Sequence, residues 1–323
     1  MSLSKRIGHY LSLVKFSHTV FALPFALIGF VLGYNSKFKI PQHTDYLPTS
    51  WSYYSPTGIT GNLWIILLLV ILCMVMARNA AMGFNRYLDR DIDAKNKRTA
   101  LREVPAGVIS SQNALWFVII NCLLFIVTTF FINQICFLLS PIALFVILFY
   151  SYTKRFTPLC HLVLGVGLSL APIGAYLAVT GHFDLLPLFF SAIVFTWVSG
   201  FDIMYALQDE AFDRENNLKS IPVLLGRKNA LLTSRILHIV TAAIIISAGL
   251  YGGFSYIYWI GAVIFIGLLI YQHTLVKVND ISKINIAFGT TNGVASVVFA
   301  AFVILELILQ NSVTAAIDGL LSF

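Results

Sequence analysis

Charged side chains are scarce in this sequence. Asp, Glu, Lys and Arg make up 11% of the 323 residues, whereas 58% are hydrophobic, and the mean hydropathy is +0.84. A water-soluble domain carries about a quarter of its residues as charges, so the composition excludes that class. The sequence predicts an integral membrane protein that forms a single domain over residues 1–323.

Cysteines and paired histidines are also rare. The four cysteines lie in or beside apolar stretches without the spacing of metal ligands, and the seven histidines include no pair at helical ligand spacing. We therefore expect the cysteines to be small buried hydrophobes: Cys73, Cys122, Cys136 and Cys160. No small-residue cleavage site follows the first apolar run, which predicts that no signal peptide is removed.

Long apolar stretches dominate the chain instead. Nine of them are candidates for crossing about 30 Å of hydrocarbon as helices: residues 20–34, 63–82, 114–131, 135–150, 159–179, 187–207, 231–251, 256–273 and 287–309. The predicted fold is therefore an all-α polytopic membrane protein with nine transmembrane helices.

The distribution of positive charges predicts the orientation. All but three of the 21 Lys and Arg residues fall in loops, or for Arg235 at the start of a span, that nine spans put on one side; the exceptions are Lys37, Lys39 and Arg78. Because cytoplasmic loops carry the excess of Lys and Arg, we expect a cytoplasmic N-terminus and an external C-terminus. This distribution also argues against nucleic acid as the partner behind the net charge of +7.

Residues 78–107, here called the first acidic segment, leave the second apolar stretch with a polar stripe. Arg78, Asn85, Asp89 and Asp93 fall within about 100° of one another on a helix, and Asp91 points away. Carboxylates at this spacing, followed by cations, match the needs of Mg²⁺ and a phosphate ester. A solvated cytoplasmic loop is the alternative.

Residues 202–222, the second acidic segment, repeat this pattern. Asp209 and Asp213 are four residues apart, and Asp202 precedes them inside a predicted span, where an ionisable group is costly enough to suggest function. Nine of the fourteen acidic residues lie in the two segments. Facing acidic clusters require cations between them, so we predict a two-part site for Mg²⁺ and diphosphate. The short loop with Lys154 and Arg155 either orients the protein in the membrane or, if the phosphate site lies on this side, offers further phosphate ligands.

The two segments resemble the motifs of the UbiA superfamily of intramembrane aromatic prenyltransferases. The matching residues are Asn85, Asp89 and Asp93 in the first motif and Tyr205, Ala206, Asp209 and Asp213 in the second. The likeness covers most of the chain and is greatest to the 4-hydroxybenzoate polyprenyltransferase branch, including its relatives in the futalosine route to menaquinone. One departure is Arg86, where the commonest 4-hydroxybenzoate enzymes carry Asp, and it leaves the acceptor open.

The resemblance implies an enzyme whose helices enclose a central cavity in the cytoplasmic (inner) membrane. It would transfer a polyprenyl group from its diphosphate to an aromatic acid such as 4-hydroxybenzoate, for ubiquinone or menaquinone synthesis, with no obligate protein partner. Two Mg²⁺ ions would be held by Asn85, Asp89, Asp93, Asp209 and Asp213. The implied diphosphate ligands are Arg98, Arg102, Lys154 and Lys219. Arg78 would bind the carboxylate of the acceptor.

The chemistry requires an allylic cation protected from water. Tyr150, Tyr152 and Tyr205 are candidates to stabilise it through their π faces, although packing explains each of them equally well. Asp89 or Asp202 is the expected proton acceptor, and a salt bridge between Arg78 and Asp202 is an alternative use of that arginine. Other activities left open are 1,4-dihydroxy-2-naphthoate prenyl transfer, haem farnesyl transfer and, more remotely, cation-coupled transport.

Overall fold

The computed structural model describes residues 8–10, 12–13, 21–39 and 62–321, with side chains as far as residue 310 except those of 37–39. Predictions about a signal peptide, about the start of the first span and about the side chains of Lys37 and Lys39 lie outside the described residues. The regular structure of the described part is helical, with turns and loops between the helices and one isolated bridge between Lys277 and Asp280.

The helices follow one another in a simple order. In the described residues they are α1 (Leu23–Lys39), α2 (Leu63–Leu88), α3 (Arg90–Asp93), α4 (Ser111–Ile132), α5 (Gln134–Thr153), α6 (Cys160–Thr180), α7 (Leu185–Tyr205), α8 (Glu210–Glu215), α9 (Ile221–Tyr251), α10 (Tyr256–Leu275) and α11 (Asn292–Leu321). A 3₁₀ turn (Ala206–Gln208) separates α7 from α8, and a π-helical turn (Ile286–Thr291) leads into α11.

Eight of the described helices are long and apolar enough to cross a membrane, judged by length and composition. They are α2, α4, α5, α6, α7, α9, α10 and α11, and α1 adds the shorter apolar stretch Leu23–Ser36. Each predicted stretch overlaps one of these helices, which confirms the all-α polytopic fold. The ninth span and the orientation stay predictions.

Polar side chains mark where the long helices begin. Asn133, which lies between the third and fourth predicted stretches, accepts a hydrogen bond from Cys136 N at 2.9 Å. Its Nδ2 donates to Leu177 O at 2.8 Å, which ties the start of α5 to the end of α6. Ser110 caps α4 in the same manner, as expected of short polar side chains that satisfy free backbone N–H groups.

α9 begins about ten residues before the predicted span. The early part is a separate turn, because Gly226 has φ 72° and ψ 166°, which breaks the helix where an L-residue would be strained. The straight apolar helix therefore starts after Gly226, closer to the predicted boundary at residue 231.

α7 supplies the centre of the core. Trp197 and Phe201 are almost fully buried, and Trp197 packs against Phe25 of α1. Leu123 on α4, in contrast, is 58% exposed. Such uncovered apolar surface suits a helix that faces lipid.

α2 and α7 end at the same end of the bundle, here called the motif end. α2 stops at Leu88, and Asp89 follows with φ −91° and ψ 7°; the turn after α7 stops at Gln208, and Asp209 follows with φ −101° and ψ 2°. The backbone N of Asp93 then lies 2.7 Å from Asp89 O, and that of Asp213 lies 2.7 Å from Asp209 O. The predicted stripe is thus not one continuous helix, but the two acidic segments repeat each other in backbone conformation.

Candidate active site

The two acidic segments contact each other directly at the motif end. Arg98 of the first segment donates from Nε to Asp209 Oδ1 at 3.1 Å and from Nη2 to Asp209 Oδ2 at 2.6 Å. Asn96 Nδ2 also lies 3.4 Å from Asp209 Oδ1. This pairing raises the pKa of Arg98, although burial alone would lower it. The facing arrangement predicted for the two segments is therefore present.

Asp89 lies between its own motif and the loop after α5. Asn85 Nδ2 donates to Asp89 Oδ2 at 3.0 Å, and Arg155 Nη2 donates to Asp89 Oδ1 at 2.9 Å. Burial raises the pKa of the Asp89 carboxyl despite the opposing attraction of Arg155. A carboxyl group in this state binds cations or accepts a proton more readily than a solvated one.

Asp93 is buried behind Asp89. Arg102 Nη1 donates to both carboxylate oxygens of Asp93, at 2.9 and 2.8 Å, and Arg86 Nη1 lies 4.0 Å from Oδ2. Thr99 Oγ1 donates to the backbone O of Asp93 at 3.0 Å, which closes the turn after α3. Asp91, predicted to lie off the stripe, is exposed and pairs only loosely with its neighbour Arg90.

Asp213 is fully buried and pairs with Lys154. The distance from Lys154 Nζ to Asp213 Oδ1 is 2.7 Å, while Oδ2 has no hydrogen-bond partner among the described residues. Burial raises the pKa of Asp213. The pKa of Lys154 is also raised, because Asp213 outweighs the burial that would lower it. Adjacent residues Lys154 and Arg155 therefore reach the second and the first motif respectively.

Lys219 lies at the edge of this cluster. Its side chain is exposed and donates from Nζ to Phe156 O at 3.1 Å, while its backbone N donates to Lys154 O at 2.7 Å. The backbone contact fixes the loop after α8 against the loop after α5. The four predicted diphosphate ligands thus all lie at the motif end.

The donor set fits a hard divalent cation. Within the described ranges, no three carboxylate, thiol or imidazole groups converge as a ready metal cluster, and a basic side chain pairs with each of the four motif aspartates. The groups themselves are carboxylate and amide oxygens, which Mg²⁺ prefers. The buried Asp213 Oδ2, which accepts no hydrogen bond from a described residue, is an oxygen that a cation would satisfy.

Asp202 pairs with a histidine that the sequence did not point to. His161 Nδ1 lies 2.7 Å from Asp202 Oδ2, and the imidazole is 4% exposed. His161 is 41 residues away on α6, so no local spacing could have linked it to Asp202. Asp202 is therefore held by His161, which leaves the alternative salt bridge to Arg78 without support.

An apolar cavity of about 430 Å³ lies between α2, α4, α5 and α6. Its lining extends from Arg78 and Tyr150, near the motif end, to Phe183, which follows α6 at the opposite end of the bundle. Most lining side chains are aliphatic, so the cavity suits an apolar chain with a polar group at one end. The predicted acceptor ligand Arg78 and the predicted aromatic residue Tyr150 share this cavity.

The other two predicted tyrosines have different surroundings. Tyr205 stacks on Phe288 of the π-helical turn with ring centroids 4.0 Å apart, and the Arg98 guanidinium lies 6.0 Å from its ring centroid. Tyr152 is 43% exposed, packs on Phe84 and is not among the residues that line the cavity. Tyr150 and Tyr205 thus flank the site, and Tyr152 does not.

Sequence comparison identifies relatives over most of the chain. The sequence pattern of the UbiA prenyltransferase family matches residues 46–315. The 4-hydroxybenzoate octaprenyltransferase of Aliivibrio fischeri (strain MJ11) is 31% identical over 257 residues, which cover 79% of this chain and 88% of that protein. The 4-hydroxybenzoate octaprenyltransferase of Nitrosospira multiformis is 29% identical, with coverage of 80% and 88%.

Solved structures share the fold. A UbiA homologue from Aeropyrum pernix K1 has a TM-score of 0.71 and 26% identity, covering 91% of this chain and 98% of its own. A UbiA homologue from Archaeoglobus fulgidus bound to GPP and Mg²⁺ has a TM-score of 0.67 and 20% identity, covering 93% and 99%. This chain is a multi-pass membrane protein and an enzyme of the UbiA prenyltransferase family, similar to the 4-hydroxybenzoate polyprenyltransferases.

Proposed function

We propose that this enzyme transfers a polyprenyl group from its diphosphate to an aromatic acid such as 4-hydroxybenzoate, with Mg²⁺, in quinone biosynthesis. The observation that carries the proposal is the contact of the two acidic segments through Arg98 and Asp209 at one end of the bundle, near an apolar cavity lined by Arg78. Diphosphate, isoprenoid chain and aromatic carboxylate each find a chemically matched surface there.

The proposed ligands of Mg²⁺, two ions in this account, are the oxygens of Asn85, Asp89, Asp93, Asp209 and Asp213. When bound, the metal would neutralise diphosphate oxygens and act as a Lewis acid on the leaving group. Arg98, Arg102 and Lys154 each pair with a motif carboxylate. We propose that they exchange this partner for phosphate oxygens, which accept the same charge-assisted hydrogen bonds. The exposed Lys219 is the fourth diphosphate ligand.

In the proposed reaction the allylic C–O bond breaks and its electron pair leaves with the diphosphate. Tyr150 and Tyr205 are the proposed stabilisers of the allylic cation, whereas the exposed position of Tyr152 does not favour that role for it. The apolar cavity excludes water from the cation. The ring carbon ortho to the acceptor hydroxyl forms the new C–C bond, and Asp89 or Asp202 takes the displaced proton.

The proposed topology follows the positive charges. Nine spans with α1 as the first would put the motif end on the cytoplasmic side, the N-terminus inside and the C-terminus outside. We propose the cytoplasmic (inner) membrane as the location. Isoprenyl diphosphate, the aromatic acceptor and lipid are the proposed partners, without nucleic acid and without an obligate protein partner.

A panel of acceptors tests the aromatic substrate. Membranes containing the wild-type protein or Arg78→Ala receive a labelled polyprenyl diphosphate with 4-hydroxybenzoate, with 1,4-dihydroxy-2-naphthoate, with haem or with phenol, which has no carboxylate, and products are identified by mass. We expect a prenylated 4-hydroxybenzoate with the wild type and a selective loss of that product with Arg78→Ala. Products from haem or from the naphthoate alone would reassign the acceptor, and an equal effect of Arg78→Ala on an acceptor without a carboxylate would remove its proposed role.

A further inference from the structure

Arg86 is a buried arginine that lies beside Asp93 and has not yet been given a function. Its side chain is 3% exposed. Arg78, Met82 and Arg86 follow one another at four-residue intervals on α2, so they lie along one side of that helix. The first two line the apolar cavity. Arg86 itself does not line the cavity; it lies one turn beyond Met82, at the motif end of α2 and next to Asn85 of the first acidic segment.

The carboxylates near Arg86 do not satisfy it. Its Nη1 is 4.0 Å from Asp93 Oδ2, whereas Arg102 donates to the same carboxylate at 2.8 and 2.9 Å. The Nε of Arg86 is buried and has no hydrogen-bond partner among the described residues. Glu103, which also attracts Arg86, is already hydrogen-bonded by Ser12 Oγ. A buried guanidinium with so little compensation is costly unless an anion completes its hydrogen bonds.

The charges of the cluster lead to the same conclusion. The four motif carboxylates of Asp89, Asp93, Asp209 and Asp213 each have one cation within 3 Å, namely Arg155, Arg102, Arg98 and Lys154. Arg86 is a fifth positive charge in contact with this set. Among the motif carboxylates and their cations this pairing leaves the charge of Arg86 in excess, because Glu103, the other anion that attracts it, is only partly buried and accepts a hydrogen bond from Ser12. Bound metal ions would add further positive charge.

We propose that Arg86 is a diphosphate-binding residue of this enzyme, with a hydrogen bond from its buried guanidinium to the leaving group. The inference rests on the proposed prenyl transfer and deepens it. Arg78 lies eight residues earlier on α2, or about 12 Å along the helix axis. The diphosphate at Arg86 and the acceptor carboxylate at Arg78 would then define the two polar ends of one substrate arrangement, with the reacting carbon between them.

A binding experiment that needs no turnover tests this role. The purified full-length protein in detergent is titrated with Mg²⁺ and a non-reacting prenyl thiodiphosphate, and separately with inorganic diphosphate. The variants are Arg86→Met, Arg86→Lys and the control Arg90→Met, whose arginine side chain is 37% exposed, donates to Tyr87 O and lies 3.6 Å from Asp91. KM values for isoprenyl diphosphate and for the aromatic acid are measured in parallel, together with the thermal unfolding of each variant without ligand.

We expect Arg86→Met to weaken binding of both diphosphates roughly 10- to 100-fold, as the loss of charge-assisted hydrogen bonds predicts. Arg86→Lys should recover part of the affinity, Arg90→Met should match the wild type, and the KM for the aromatic acid should change less than about twofold. Unchanged diphosphate affinity in Arg86→Met would overturn the proposal, as would a lower unfolding temperature with a normal affinity, which is the result of a purely structural role. A rise confined to the KM of the aromatic acid would also overturn it. Failure of the wild type to bind prenyl thiodiphosphate would refute the proposed function itself, whereas normal wild-type binding with an unaffected Arg86→Met would refute this inference alone.

Discussion

The ion pair between Lys154 and Asp213 allows a quantitative test of how the motif end is held together. Asp213 is 0% exposed and Lys154 is 34% exposed, with 2.7 Å between Nζ and Oδ1. Lys154→Met would keep the apolar stem of the side chain and remove its charge, which leaves a buried carboxylate without its cation. Breaking a buried pair in this way costs about 3–5 kcal/mol. Because Lys154 is partly open to solvent, we expect about 2–3 kcal/mol here.

The loss of stability in Lys154→Met should increase as the pH rises. Burial already raises the pKa of Asp213 above its ordinary value, and removal of the attraction of Lys154 raises that pKa further. A carboxyl group with a higher pKa in the folded than in the unfolded state destabilises the fold as pH rises above its unfolded value of about 4. Lys154 stays protonated from pH 5 to 8, since its own pKa is raised. The stability gap, which is the difference in the free energy of unfolding between wild type and Lys154→Met, should therefore widen from pH 5 to pH 8.

Thermal unfolding in detergent at pH 5, 6.5 and 8 measures this gap. Lys97→Met serves as the control, because Lys97 is an exposed lysine of the first acidic segment. The double variant Lys154→Met with Asp213→Asn should recover most of the stability and lose the pH dependence. Equal unfolding temperatures for Lys154→Met and Lys97→Met would refute the reasoning, as would a gap that narrows with rising pH or a double variant without recovery.

Three further predictions concern the reaction. Asp89→Asn or Asp209→Asn should lower kcat/KM at least about 100-fold, because either change weakens metal-assisted departure of diphosphate. Initial rates at several Mg²⁺ concentrations check this. Rates within a few-fold of the wild type would exclude those carboxylates as metal ligands. Arg78→Ala should raise the KM for 4-hydroxybenzoate roughly 10- to 100-fold and leave affinity for prenyl thiodiphosphate unchanged; the reverse pattern would move Arg78 to the diphosphate. Tyr205→Leu should slow prenyl transfer about 3- to 30-fold, because it removes a cation–π contact. Tyr152→Leu, at an exposed position, should keep a rate near that of the wild type. Equal losses of rate in the two variants would argue that both tyrosines act only through packing.

The sequence allowed the class of fold and the location of the site to be predicted for a physical reason. In a chain with so few charges, carboxylates concentrated at two helix ends require compensation by cations, which brings the two ends together. Arg98, on one segment, contacts Asp209 of the other, as that argument requires. The contact between the two acidic segments could therefore be predicted from the composition and from the spacing of the carboxylates.

The end of α2 and the partners of individual side chains could not be predicted in the same way. The polar residues keep a 3.6-residue spacing in the sequence across the point where the helix breaks. That spacing therefore could not reveal that α2 stops before Asp89. Adjacent side chains in a tight loop point in different directions. The backbone conformation of the loop therefore decides that Lys154 and Arg155 contact different motifs. His161 lies in an apolar stretch without a nearby acid in sequence, and only the packing of α6 against α7 brings it to Asp202.

The exposure of Tyr152 shows a related difficulty. Tyr150 and Tyr152 are two residues apart on α5 and therefore point about 200° apart around the helix. Only one of them can face the cavity, and sequence spacing did not say which. The structure assigns Tyr150 to the lining and leaves Tyr152 on the outside.

The most direct measurement is the mass of the product formed by the purified protein. The protein is reconstituted in lipid vesicles and incubated with a polyprenyl diphosphate of defined length, 4-hydroxybenzoate and either Mg²⁺ or EDTA, with Asp89→Asn as the inactive comparison. We expect a ring-prenylated 4-hydroxybenzoate and one released diphosphate per product, only with Mg²⁺ and only with the wild type. Binding of both substrates without any such product, or equal product formation in EDTA, would contradict this expectation.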